Sequence, residues 1–207
     1  MTVLDIDAFR ATPLSRDPYE HLIVPGFVPA AQVEAVVRDF PAISKPGLFP
    51  PSVLNLKGTF AAMMDELDSD EFEQAVEQKF GVPIAGKPKL FTVRGRCHRK
   101  DGGIHTDSTT KIITILLYLN PAWEADGGRL RVLRSATDLN DFAAEVPPLA
   151  GTLLAFKRSE RSYHGHESFS GERRAIQLNW ITDVATRNRE EARHRWSARF
   201  KQINPFA

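Results

Sequence analysis

His105 and Asp107 stand two residues apart in GGIHTDSTTKIITILLYLN, and a third metal-ligating side chain, His164, follows far downstream in SYHGHE. In an extended chain residues i and i+2 project from one face, so the two side chains converge on one point. A further imidazole completes a set of two histidines and one carboxylate. Such a set holds Fe(II) and leaves three positions open for a co-substrate and O₂. Thiolates would favour zinc or clusters instead. An isolated H-x-D arises often by chance; its weight here comes from its surroundings.

The elements that must position these residues are legible from about Pro83 to Asp183. KLFTVRGRC, STTKIITILLYLN, GGRLRVL, GTLLAFK and RRAIQLNWIT are short, β-branched or aromatic-rich, and separated by Gly, Pro, Asn or Asp. No helical pattern between them is long enough for a parallel crossover, so antiparallel sheets are expected. The fold class is mainly β with flanking helices: a double-stranded β-helix (jelly-roll, cupin-like) core over 83–184. Residues 1–82 form a helical support and 185–207 a C-terminal helix, all within one domain.

Within the support, 1–28 read as an irregular lead-in ending in the strand HLIVPGF. PAAQVEAVVRDF reads as a helix, with Val33, Val36, Val37 and Phe40 on one face. The four prolines of PAISKPGLFPPS make that stretch a loop over the core. A helical region from about 59 to 80 breaks near Asp68-Ser69, with Asp68 and Glu71 at capping-box spacing and Gly81 as its stop. In the last helix Ala192, Trp196, Phe200 and Ile203 form an apolar stripe that should dock on the core.

Composition bounds the function. A chain of 207 residues, 42% apolar and 26% charged, suits one globular domain. A net charge of +1 demands neither nucleic acid nor an anionic membrane as partner. The single Cys97 excludes an intrachain disulfide. No signal-peptide pattern opens the chain, and no apolar run approaches the roughly 18 residues of a membrane span. A cytoplasmic protein is expected.

Six histidines are present, and His164 and His166, also two apart, compete for the third ligand position. Here the sequence resembles the Fe(II)/2-oxoglutarate-dependent oxygenases, in particular their prolyl 4-hydroxylase-like branch, over roughly residues 85–183. The resemblance rests on an ordered set: HTD, a strand ending YLN, a GG turn, G-x-L-L-x-F, an isolated His, and G-x-R-R before a strand ending in Trp. It implies His105, Asp107 and His164 as both metal ligands and catalytic residues. Fe(II), 2-oxoglutarate and O₂ are the implied cofactors, with ascorbate as a stimulating reductant. The implied activity is hydroxylation of a C–H bond in a small-molecule or protein side-chain substrate, with release of succinate and CO₂.

The distal carboxylate of 2-oxoglutarate calls for a buried Arg. Alternation groups Arg174 with Ile176, Leu178 and Trp180 on an apolar, inward face, and Arg173 with Ala175, Gln177 and Asn179 on the other. Arg174 is therefore the expected anchor, although gapless alignment to some relatives favours Arg173. Tyr118 and Thr114, on the YLN strand, are assigned to the same co-substrate. Arg94, Arg96, His98, His166 and Trp180 are the candidate substrate residues. The basic run from Arg94 to Lys100 reads first as a solvated face, with an anionic substrate as the sharper alternative. Two other functions compete: a cupin-type isomerase or dioxygenase that dispenses with 2-oxoglutarate, and a non-enzymatic jelly-roll binding protein.

Overall fold

The computed structural model describes residues 2–203, with side chains through 198. Among the described residues, eight strands form two sheets. β1 (His21–Val24), β2 (Lys89–Cys97), β3 (Lys111–Tyr118), β6 (Leu153–Lys157) and β8 (Gly171–Ile181) make a five-stranded sheet in the order β1-β6-β3-β8-β2. β4 (Leu130–Leu133), β5 (Phe142–Val146) and β7 (His164–Gly165) make a three-stranded sheet in the order β5-β4-β7. Every pairing between these strands is antiparallel. The jelly-roll expectation of mostly β structure with flanking helices holds.

Four helices precede the strands from β2 onward: α1 (Ile6–Ala11), α2 (Ala30–Arg38), α3 (Gly58–Asp68) and α4 (Asp70–Phe80). The helix α1 lies inside the stretch expected to be irregular. Its signal is Asp5, whose carboxylate accepts the Ala8 N–H as an N-cap, with Ile6 and Phe9 buried beneath. At the α3–α4 break the cap is Ser69, whose hydroxyl accepts the Phe72 N–H, rather than the expected Asp68–Glu71 box. Gly81 ends α4 at φ 61°, a left-handed value that favours glycine.

The helices pack on the outer face of the larger sheet. Ile176, Leu178 and Trp180 of β8 lie in one buried cluster with Phe60, Met63, Leu67, Phe72 and Val76 of α3 and α4. The Trp180 indole N–H donates to Glu73 Oε2 at 3.0 Å. This apolar face of β8 is thus the helix-covered exterior of the sheet and not its interior.

The last helix, α5 (Val184–Ile203), follows β8 directly. The described part of its expected apolar stripe does not dock: Ala192 is exposed and Trp196 is 77% exposed, while Phe200 and Ile203 lie outside the described side chains. The positions turned inward are Thr186, Glu190, His194 and Ala198, a line of i+4 steps. The cause lies beneath the helix, which covers a polar cleft instead of apolar core.

Candidate active site

His105 and His164 are brought together by the backbone. The two residues form an isolated antiparallel bridge in which each N–H donates to the other's carbonyl at 3.0 Å. Their ring centroids lie 4.3 Å apart. Asp107 completes the group, and one ligand atom from each of the three lies within 4.8 Å of the others. His166 is not among the converging residues.

The donor set fits Fe(II). His105 Nδ1 lies 2.8 Å from the Gly103 carbonyl, and His164 Nδ1 lies 3.0 Å from the Ser162 carbonyl. A carbonyl can only accept, so each Nδ1 carries the proton and each Nε2 keeps its lone pair for a metal. Burial, with His105 close by, pushes His164 down to about 4 against the pull of Asp107, so its imidazole is neutral at pH 7. Burial pushes the Asp107 carboxyl up, but Lys111, His164 and Thr114 outweigh it and hold it below the usual carboxylate range. The Lys111 ammonium donates to Asp107 Oδ1 at 2.6 Å, and the Thr114 hydroxyl donates to Oδ2. A carboxylate has about four lone-pair sites, so both contacts are compatible with metal binding.

Arg173, not Arg174, faces this group. Arg173 is 6% exposed and lines a chamber of about 250 Å³ with His105, Asp107, Thr114, His164 and His166. Its Nε donates to the Gly128 carbonyl at 2.8 Å and its guanidinium reaches the Tyr118 hydroxyl at 3.3 Å. Among the described residues no carboxylate pairs with it. Arg174 instead pairs with Glu172 at 2.8 Å, reaches the Val37 carbonyl and covers the Phe40 ring on the helix side. The sequence expectation assumed that the apolar face of β8 points into the barrel. The helices claim that face, which leaves Arg173, Gln177 and Asn179 pointing inward.

The remaining candidates divide. Tyr118 is fully buried against Arg173, and Thr114 touches Asp107 while lying 2.9 Å from the Asn179 carboxamide oxygen. His166 lines the chamber, and burial with Arg173 nearby lowers it to about 4. Arg94 also lines it, tied to Asp101 at 2.6 Å. Arg96 does not, because the strand register shifts between Arg94 and Arg96 and Arg96 falls in a separate surface cleft beside Arg174. His98 sits in an exposed turn, and Trp180 lies in the helix-packed core. Neither belongs to the site.

A second cavity of about 290 Å³ adjoins the chamber and shares Leu48, His105, Asp107, Lys111 and Gln177 with it. Lys111, Thr92, Gln177 and Asn179 are site residues that the sequence reading did not choose. For Gln177 and Asn179 the available signal was the polar set at alternate positions of β8.

Residues 94–182, a little under half of the chain, match the family model described as the 2OG-Fe(II) oxygenase superfamily. A match to this family implies Fe(II), 2-oxoglutarate and O₂ as cofactors and a dioxygenase activity. Among solved structures, the fold resembles a prolyl-4-hydroxylase from Pseudomonas putida, with 22% identity, TM-score 0.50, and coverage of 86% of this chain and 93% of that one. It also resembles a prolyl 4-hydroxylase from Phytophthora capsici (16% identity, TM-score 0.54, 87% and 66% covered). A third is the viral collagen prolyl hydroxylase of Paramecium Bursaria Chlorella virus-1 (15% identity, TM-score 0.51, 81% and 98% covered). At these identities the likeness is one of fold. A search of curated proteins gave no significant match. No described helix is long and apolar enough to cross a membrane.

Proposed function

We propose that this chain is an Fe(II)- and 2-oxoglutarate-dependent dioxygenase that hydroxylates a C–H bond, with His105, Asp107 and His164 as the iron ligands and Arg173 as the anchor for the co-substrate. The observation that carries this reading is a buried Arg173, without a carboxylate partner among the described residues, in the same chamber as the converging His105, Asp107 and His164. A buried cation in that state is costly unless an anion joins it. The distal carboxylate of 2-oxoglutarate is such an anion, and the planar guanidinium suits it.

The bound iron with 2-oxoglutarate and O₂ supplies the oxidising power, and the chain supplies position. Arg173 holds the distal carboxylate, with the Tyr118 hydroxyl beside it as a further hydrogen-bonding group. Thr114 and Lys111 orient the Asp107 carboxylate. The Gly103 and Ser162 carbonyls fix the two imidazole tautomers. The buried Leu130 and half-buried Leu116 line the chamber, and the buried Tyr118 stands beside Arg173, so that apolar walls keep bulk water from the co-substrate.

The three solved relatives are named as prolyl hydroxylases, which makes prolyl peptides one arm of a substrate panel; free small molecules make the other. The test is succinate formation from 2-oxoglutarate by the Fe(II)-loaded protein. Succinate should appear slowly without substrate and faster with the right one. His164→Ala should abolish both iron binding and turnover, and His166→Ala should leave iron bound. Iron-loaded protein that binds no 2-oxoglutarate would sink the reading in favour of a cupin-type enzyme.

A further inference from the structure

Lys111 reaches the metal group through a break in its strand. Residues paired between β3 and β8 share a face: Thr114 stands opposite Asn179 on the side of the site, and Ile113 opposite Trp180 on the side of the helices. Continued regularly, that ladder would turn Ile112 toward the site and Lys111 toward the helices. Instead the register shifts between Lys111 and Ile113, so that Lys111 stands opposite Ile181 and Ile112 is the extra residue. A bulge of this kind re-aims a side chain. Here it brings Lys111 to Asp107, while Ile112 packs with the helix-side cluster.

The ammonium ends 2.6 Å from Asp107 Oδ1, with 18% of the lysine side chain exposed and 6% of the aspartate's. Orientation alone does not call for it. The Thr114 hydroxyl already holds Oδ2, and the Arg158 guanidinium donates to the Asp107 backbone carbonyl at 3.3 Å. A neutral donor at position 111 would add a further hydrogen bond without the cost of desolvating an ammonium. What a neutral donor cannot supply is charge, and the charge stands on the one anionic member of the converging group. Outer partners of metal ligands tune the redox potential of the metal they surround. A fixed positive charge destabilises Fe(III) more than Fe(II), because the repulsion grows with the charge on the metal.

We propose that Lys111, acting through Asp107 and without touching the metal, holds the bound iron in its ferrous state. This rests on reading His105, Asp107 and His164 as the iron ligands. In the absence of substrate the inactivating event is loss of one electron from Fe(II) to O₂, which leaves Fe(III) and superoxide. Raising the Fe(III)/Fe(II) potential makes that transfer less favourable. The same charge also repels Fe(II), but less, so the site binds both ions more weakly and the ferric ion disproportionately so.

The test is a potentiometric titration of the iron-loaded protein without oxygen or 2-oxoglutarate. A mediator supplies one electron per iron, and the ferric signal is followed by electron paramagnetic resonance. Lys111→Met and Lys111→Gln should favour Fe(III) over Fe(II) at least about tenfold relative to wild type, a fall of about 59 mV for a one-electron couple. Lys111→Arg keeps the charge and should stay within about threefold of wild type. Fe(II) affinity, measured on the same samples, should be equal or higher in the neutral variants, because a repelling charge has gone. A purely orienting lysine predicts the reverse: weaker Fe(II) binding, with Lys111→Gln retaining more than Lys111→Met. Neutral variants at the wild-type potential, Lys111→Arg shifted as far as Lys111→Met, or neutral variants that no longer bind iron would each overturn the proposal. Wild-type protein that binds no iron would overturn the functional reading itself.

Discussion

At the scale of single residues, the contrast between Arg173 and Arg174 carries the most chemistry. Removing one partner of a buried, hydrogen-bonded charge pair costs about 2–5 kcal/mol, a factor of tens to thousands in affinity. Arg173→Gln should therefore raise the Kd for 2-oxoglutarate at least tens of fold in a titration of iron-loaded protein. Arg174→Gln, which loses a half-exposed pair with Glu172, should shift it by only a few fold. A reversal of that order would return the anchor to the helix side of β8. The histidines add a pH signature. His164 and His166 are lowered to about 4 from an ordinary 6.5, so the unfolded chain takes up protons that the folded protein refuses. The metal-free protein should keep its full stability above pH 6.5 and lose it as pH falls toward 4. Each histidine contributes about 3 kcal/mol over that window. In denaturant titrations at pH 7 and 5, His166→Gln should lose about half as much stability as wild type between the two. His105 and Asp107 were legible in the sequence because i, i+2 spacing is a local property, whereas His164 was chosen over His166 through the family resemblance alone. The anchor was not legible. Alternation separates two faces but does not say which one the helices will cover.

At the scale of elements, β7 is the joint on which the site turns. It is two residues long, and no propensity argument could have found it. Its place is fixed by close backbone approach: a Cβ at Gly165 would meet the Gly102 carbonyl oxygen at 2.9 Å and Ile104 Cα at 3.2 Å. Gly165→Ala should push β7 off the segment before His105 and loosen the His105–His164 bridge. The expected readout is iron affinity at least about tenfold weaker with the two sheets otherwise intact by circular dichroism; unchanged affinity would show that the bridge tolerates the shift. The longer strands were readable because β2, β3, β6 and β8 combine β-branched runs with turn residues. The short β5, Phe142–Val146, was missed because its sequence, FAAEV, alternates weakly. The docking of α5 was misread for a related reason. A Trp at helical spacing looks like a core anchor, yet this helix spans a polar cavity, where Thr, Glu and His are the inward residues.

At the scale of the whole molecule, the metal should behave as a folding ligand. Fe(II) at about a hundred times its Kd adds roughly 2.7 kcal/mol to stability, which for a chain of this size raises Tm by about 5–10 °C. Anaerobic calorimetry with and without a chelator measures it, and an unchanged Tm would mean that the three ligands do not hold iron in the folded state. The family match spans 94–182, the part whose motifs were readable, while the helical support before it carries no such signature and was inferred from periodicity alone. The bridge between His105 and His164 has a last consequence. These residues are 59 positions apart in the chain, and the intervening segment holds β3, β4, β5 and β6. An ion bound to both is a removable cross-link that closes this long loop, comparable in kind to a disulfide but set by metal supply rather than by redox state. Iron-depleted protein should open first at this seam, so a protease would cut the hairpins between Asn120 and Tyr163 sooner than the helices. The cell would then clear unloaded copies while the loaded ones persist.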